Sequence, residues 1–138
     1  MSRYKSEQVA YNPLKKKYVP LWRLDTNTMT VTHFNVYTLT TESKNYHTDY
    51  VHYHLSFSAS HYPDRLHKLV NEGKIEQYLD DLEQRVGDAI DRQVELWKQS
   101  DKEYLTAVLA GNVQKAAGLE NCLVHMARET VFECMVYI

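Results

Sequence analysis

Between Ile75 and Trp97 the apolar residues Ile75, Tyr78, Leu79, Leu82, Val86, Ile90, Val94 and Trp97 recur at steps of three and four. That period sets them along one side of an α-helix, and a helix with a single apolar stripe must lay it against a partner element. A long amphipathic helix over 74–98 is thus the element around which the rest has to be arranged. On its outer side Asp81 with Arg85, and Asp88 with Arg92, stand in the favourable i,i+4 order. Gly87 is an internal penalty of about 1 kcal/mol relative to alanine.

The flanking segments are helical too. Pro63 suits a first helical position and Gly73 a position just past a helix end, with Leu66, Leu69 and Val70 on the apolar side between them. Ser100 and Glu103 have the spacing of a capping box, which predicts a helix to about Ala110, stopped by Gly111 and Asn112. A last helix over about 113–136 carries Leu119, Cys122, Leu123, Met126, Thr130 and Cys134 on one side. Short connections favour antiparallel neighbours. Cys122 and Cys134 fall on that one helix roughly 18 Å apart, outside disulfide reach, and read as buried free thiols.

The first part has a different texture. Residues 1–27 are basic, aromatic and broken by Pro13 and Pro20, which predicts extended or irregular backbone. Residues 28–40 are rich in Thr, Val, Phe and Tyr, but Met29 and Val31 share one phase while Phe34 and Val36 share the other, as at a bulge or edge strand. Thr41–Asn45 reads as a turn. Val51, Tyr53, Leu55 and Phe57 then alternate with His52, His54 and Ser56, the pattern of a half-buried strand. No internal repeat is evident. The expected fold is α+β: an N-terminal β-hairpin or small antiparallel sheet, residues 1–60, packed on a C-terminal bundle of three to four antiparallel helices, residues 61–138, in a single compact domain.

Hydrophobic residues at 43% and charged residues at 25% are globular values, so a disordered chain is not expected. No apolar run approaches the roughly 18 residues of a membrane span, and the start lacks a signal core, so the expected location is cytoplasmic. Residues 1–60 hold seven Lys/Arg against four Asp/Glu, and residues 61–138 nine against fourteen. This asymmetry, about +3 and −5, orients an anionic partner toward the first part.

Catalytic motifs are absent. Four scattered glycines make neither a phosphate loop nor a dinucleotide fingerprint, and no H-E-x-x-H, C-x-x-C or G-x-S-x-G occurs. No Glu stands three residues before a His, so the di-iron bundle motif is missing as well. His47, His52, His54 and His61 form the best metal candidate, since two histidines two apart on a strand share a face. No cysteine or carboxylate completes the set, and structural histidines are the preferred reading. His125, Glu129 and Glu133 line one edge of the last helix and read as a solvated flank. Neither a metal nor a cofactor is expected.

The remaining candidate is the basic, aromatic start. Arg3, Lys5, Lys15, Lys16, Lys17 and Arg23 can neutralise phosphates, and Tyr4, Tyr11, Tyr18 and Trp22 can stack on unpaired bases. An exposed edge over 50–57 offers a second route, taking a strand from a partner protein.

Several segments resemble the TnpV-type proteins, small accessory proteins encoded on transposons and related mobile elements. Leu69-Val70-Asn71-Glu72-Gly73-Lys74-Ile75-Glu76-Gln77-Tyr78-Leu79 is similar to that family's Leu-Leu-x-x-Gly-Lys-Leu-x-x-Tyr-Leu signature. Ala127-Arg128-Glu129-Thr130-Val131 and Met135-Val136-Tyr137 are similar to its ending, and Tyr11 with Tyr18-Val19-Pro20-Leu21 loosely to its start. The likeness covers mainly 61–138, and residues 22–60 have no counterpart in it. It implies a mobile-element setting, no enzyme activity and no catalytic residues to carry over. The expected function is a non-enzymatic accessory protein of a mobile element or phage that binds nucleic acid or a DNA-processing complex. The alternative is a protein-binding inhibitor of a host enzyme or defence nuclease, of the anti-CRISPR kind. The long apolar stripes over 74–98 and 113–136 also suit a homodimer.

Overall fold

A computed structural model describes residues 3–138. Six short strands come first: β1 (Arg3–Lys5), β2 (Val9–Asn12), β3 (Lys17–Pro20), β4 (Trp22–Asp25), β5 (Thr30–Asn35) and β6 (Thr40–Asn45). Five helices follow: α1 (Asp49–His61), α2 (Pro63–Asn71), α3 (Ile75–Ser100), α4 (Lys102–Leu109) and α5 (Val113–Val131), with a π-helical segment over Phe132–Val136. The α+β class expected from the sequence is what the structure shows. No helix among the described residues is long and apolar enough to cross a membrane.

The chain divides into two compact units, residues 1–83 with 137–138, and residues 84–136. In the first unit, β1, β4, β5 and β6 form an antiparallel sheet in the order β1-β4-β5-β6, and β2 pairs with β3 in a separate hairpin. The register aligns Tyr4 with Leu24 and Leu24 with Val31. All three are buried, making an apolar row across the sheet's inner face. Val51, Leu55, Leu66, Val70, Ile75, Leu79 and Leu82 supply the helical part of this unit's core. Emptying one such leucine site to alanine costs about 2–5 kcal/mol.

Polar contacts fix the layers of this unit. The Tyr4 ring meets the His67 ring edge-on at 4.6 Å, and the Glu7 amide donates to Asn71 Oδ1 at 2.8 Å. Lys44 forms an ion pair with Asp80, whose carboxylate also accepts from the Tyr46 hydroxyl at 2.9 Å. Burial, and then that bond to Asp80, push the Tyr46 phenol well above its ordinary range. Gly73 ends α2 at φ +68°, and the Lys74 amide reaches back to the Leu69 carbonyl at 2.9 Å. A Cβ on Gly73 would lie 2.7 Å from Trp22 Nε1.

Three hairpin turns share one design. Asn12 Oδ1 accepts from the amides of Leu14 and Lys15, Asp25 Oδ1 from Asn27 and Thr28, and Asn35 Oδ1 from Tyr37 and Thr38. Four residues after each Asx stands a left-handed residue: Lys16 (φ 54°), Met29 (φ 53°) and Leu39 (φ 57°). The sequence does contain a repeat, of turns rather than of whole modules, hidden because the left-handed position never carries the glycine that would mark it.

Several expectations are corrected. Residues 51–57 are helix α1, not a strand. Val51, His54, Leu55 and Ser58 are buried at steps of three, one and three, so the alternation was one face of a helix read at the wrong period. The 28–40 run is not one bulged strand: β5 ends at Asn35 and the turn to β6 follows, while the phase slip falls within β5, where Val31 and Phe34 are both buried. The expected turn at 41–45 lies within β6, whose six residues are all exposed, so no apolar pattern announced it. Of the extended or irregular backbone expected over 1–27, the extended form holds, as four strands.

The second unit comprises α3 from Gln84 onward, α4, α5 and the π segment, with Val86, Ile90, Val94, Ala107, Leu123, Ala127, Val131, Phe132 and Val136 buried. The cap of α4 is Asp101, whose carboxylate accepts from the Tyr104 amide at 2.9 Å, and Ser100 instead ends α3. The capping-box reading was one residue early. Both cysteines are exposed rather than buried. The Asp81–Arg85 and Asp88–Arg92 ion pairs do not form among the described residues; the Arg92 guanidinium instead donates to the Asp88 main-chain carbonyl.

Candidate nucleic-acid interface

Strand register builds two polar rows on the sheet face opposite Tyr4, Leu24 and Val31. One row runs Lys5, Arg23, Thr32, Ser43, and the other Arg3, Asp25, Thr30, Asn45. Alternation along β1 and β4, and from Thr30 to Thr32 in β5, puts these residues outward because their neighbours are drawn into the core; Phe34, on the same face of β5, is buried. Arg3, Arg23, Asp25, Thr28, Thr30 and Thr32 line a cleft of ≈ 260 Å³. A smaller hollow of ≈ 50 Å³ shares Arg23 and Thr32 with it and adds Lys15, Val19, Pro20 and Thr41.

Charge on this face is unbalanced. Arg3 pairs with Asp25 at 3.4 Å, whereas Lys5, Lys15 and Arg23 have no ion pair among the described residues. Cations beside hydroxyl donors and acceptors make a surface suited to phosphate and sugar oxygens.

The residues expected from the sequence divide. Lys15 and Arg23 come together at the smaller hollow. Lys16 holds the left-handed position of the β2–β3 turn, and Lys17 pairs with Asn12 along the hairpin; both are exposed but line neither cleft. Tyr18 is 70% exposed and meets Tyr11 edge-on at 5.4 Å. Trp22 belongs to the opposite side of the sheet, stacked on His33 at 4.1 Å and close against Gly73, so it is a packing residue and not a stacking platform. Arg3 and Lys5, part of the expected basic start, join the two rows, and the threonines were missed. Their signal was the Thr28-x-Thr30-x-Thr32 alternation.

The histidine cluster disperses, because two residues apart on a helix lie on different sides. His54 is buried and shares a 2.6 Å hydrogen bond with the Tyr78 hydroxyl, while His47, His52 and His61 are exposed. Ser58 Oγ lies 3.5 Å from His54 Nε2 and accepts from Arg65 at 2.6 Å. Ser58 is 0% exposed, so this hydroxyl–imidazole contact ties α1 to α2 and α3 and offers no open nucleophile. No group of three His, Cys, Asp or Glu among the described residues is placed to hold a metal ion, His125, Glu129 and Glu133 included.

The sequence reading also missed an aromatic cluster in this unit. Phe57 stacks on His61 at 4.3 Å and meets Tyr137 at 5.8 Å and Tyr62 at 6.0 Å, with Arg65 over the Tyr62 ring at 5.0 Å. Tyr53, Tyr62 and Tyr137 remain between 42% and 49% exposed. No protein-family model, curated protein or solved structure matches the chain.

Proposed function

We propose that the chain is a non-enzymatic, cytoplasmic accessory protein of a bacterial mobile element or phage, and that it binds the phosphate backbone of nucleic acid on the outer sheet face. The observation that carries this reading is the convergence of Lys15 and Arg23 on one hollow, beside Arg3, Lys5 and a run of threonines, with Asp25 the single carboxylate on the two rows. The mobile-element setting rests on the resemblance of 61–138 alone. Phosphate contacts release counterions, so affinity falls steeply with salt. About four such contacts predict a loss of roughly 100-fold between 50 and 200 mM salt on duplex DNA. Fluorescence anisotropy with labelled single-stranded and duplex oligonucleotides tests this. Lys15→Ala with Arg23→Ala should weaken binding and flatten the salt slope by about two, and an unchanged slope would refute the assignment.

A second reading, a protein-binding inhibitor of a host enzyme or defence nuclease, is favoured by the half-exposed Tyr53, Tyr62 and Tyr137 beside Arg65. Tyrosine and arginine are the residue types that dominate protein interfaces. Its mark is a stoichiometric complex that survives nuclease and the Lys15 and Arg23 changes but is lost with Tyr62→Ala.

A further inference from the structure

The second unit carries an ordered charge pattern on the exposed side of α3. Arg85, Asp88, Arg92 and Glu95 stand on α3 at spacings of three, four and three, all exposed, with signs plus, minus, plus, minus. The spacing reads the same in both directions about residue 90, while the signs invert. Laid antiparallel on itself about that point, the helix sets Arg85 opposite Glu95 and Asp88 opposite Arg92, each pair twice. Laid parallel, it sets like on like. Arg85 and Asp88 have no ion pair among the described residues, and Glu95 has only a 3.4 Å contact to Lys98.

Beside this stripe lies a mostly apolar groove of ≈ 340 Å³ between α3 and the end of α5 with the π segment, lined by Ala89, Leu96, Val131, Cys134 and Met135 and by Arg92 of the stripe itself. Leu96 projects at its rim and is 61% exposed. Ala89, next to the symmetry point, is small enough to let two helices approach closely. A unit of fewer than about 60 residues buries a small core, and association is a common way to enlarge it.

We propose that the protein forms a two-fold symmetric dimer in which α3 pairs antiparallel with α3 of a second copy about residue 90, Leu96 of each copy lying on the aliphatic stems of Gln84 and Arg85 of the other. A two-fold interface uses one patch twice and must complement itself. The palindromic spacing with inverted sign meets that demand, and like-charge opposition disfavours the parallel alternative.

Analytical ultracentrifugation of the full chain from 5 µM to 1 mM tests the pairing. The expected result is a concentration-dependent doubling of mass that Leu96→Asp abolishes. Asp88→Arg should weaken the dimer at least tenfold, and Asp88→Arg combined with Arg92→Asp should restore it, a swap that only antiparallel pairing predicts. Both sites are exposed, and unchanged circular dichroism checks that the variants fold. Alkylation supplies an independent readout: Cys134 should become protected as concentration rises while Cys122, on the far side of α5, reacts unchanged. A mass that stays monomeric at 1 mM, or a dimer indifferent to Leu96→Asp and to the charge swap, overturns the proposal.

Discussion

Gly73 and Gly111 are a matched pair on which the tightest contact in the sheet-bearing unit can be weighed. Each follows a helix at nearly the same φ, +68° and +70°. In each case the next amide reaches back to close the same six-residue turn, Lys74 to the Leu69 carbonyl and Asn112 to the Ala107 carbonyl, both at 2.9 Å. They differ in what a side chain would meet. A Cβ on Gly111 finds nothing within 4 Å, whereas one on Gly73 comes within 2.7, 3.2 and 3.3 Å of three indole atoms of Trp22. Trp22 has little room to retreat, because its other side is stacked on His33. Gly111→Ala therefore carries the left-handed penalty of about 1–2 kcal/mol, reduced by about 0.4–1 kcal/mol for the stiffer unfolded chain. Gly73→Ala adds overpacking of about 1–3 kcal/mol, for a total of about 1–4.5 kcal/mol. Urea unfolding followed by circular dichroism reads both, with Trp22→Phe as the relieving change. Gly73→Ala should be less costly in the Trp22→Phe background by at least 1 kcal/mol. Equal costs for the two glycine variants, or no relief from Trp22→Phe, would refute the reasoning.

The Tyr46 phenol is held above its ordinary range by burial and by Asp80, so the unfolded chain releases this proton near pH 10 while the folded chain keeps it. Stability from this group is complete below pH 10 and falls by up to about 1.4 kcal/mol per pH unit above it; Tyr46→Phe should be less stable at pH 7 and lose less between pH 10 and 11.5 in urea titrations. Lys16→Gly, Met29→Gly and Leu39→Gly should each stabilise the fold by about 0.5–1 kcal/mol, by relieving a left-handed Cβ; a fall in thermal midpoint would contradict that. Asp101→Ala should cost about 1 kcal/mol and Ser100→Ala much less, as measured by urea midpoints, because only the former caps α4.

The helices were legible where their apolar stripes were long. Ile75, Leu79, Leu82, Val86, Ile90 and Val94 are buried as the three-and-four spacing demanded, and Pro63 and Gly73 bracket α2 as expected. The failures came from short or polar segments. Seven residues of α1 satisfy periods of 2 and 3.6 equally well, since Val51 and Leu55 are partners under either. In β6 the cross-strand side-chain contacts are polar, Asn45 with Thr30 and Ser43 with Thr32, so no apolar alternation announces the strand. The candidate site was half visible. Lys15 and Arg23 were named from composition, but their company was set by strand register, which put Arg3 and Lys5 beside Arg23 and sent Trp22 to the opposite face.

The three Asx turns have a consequence for how this protein can change. In each, the frame is closed by one carboxamide or carboxylate at the first position and one left-handed residue at the fifth, and the positions between them carry mostly exposed side chains, Thr26 being buried. Those intervening positions include Leu14, which is 83% exposed, and Tyr37, which is 93% exposed. Substitutions there leave strand register untouched, so surface chemistry at three tips can drift independently of the sheet that carries them. Under the proposed binding function, this allows partner choice to be rewritten a turn at a time, on a scaffold that keeps its core.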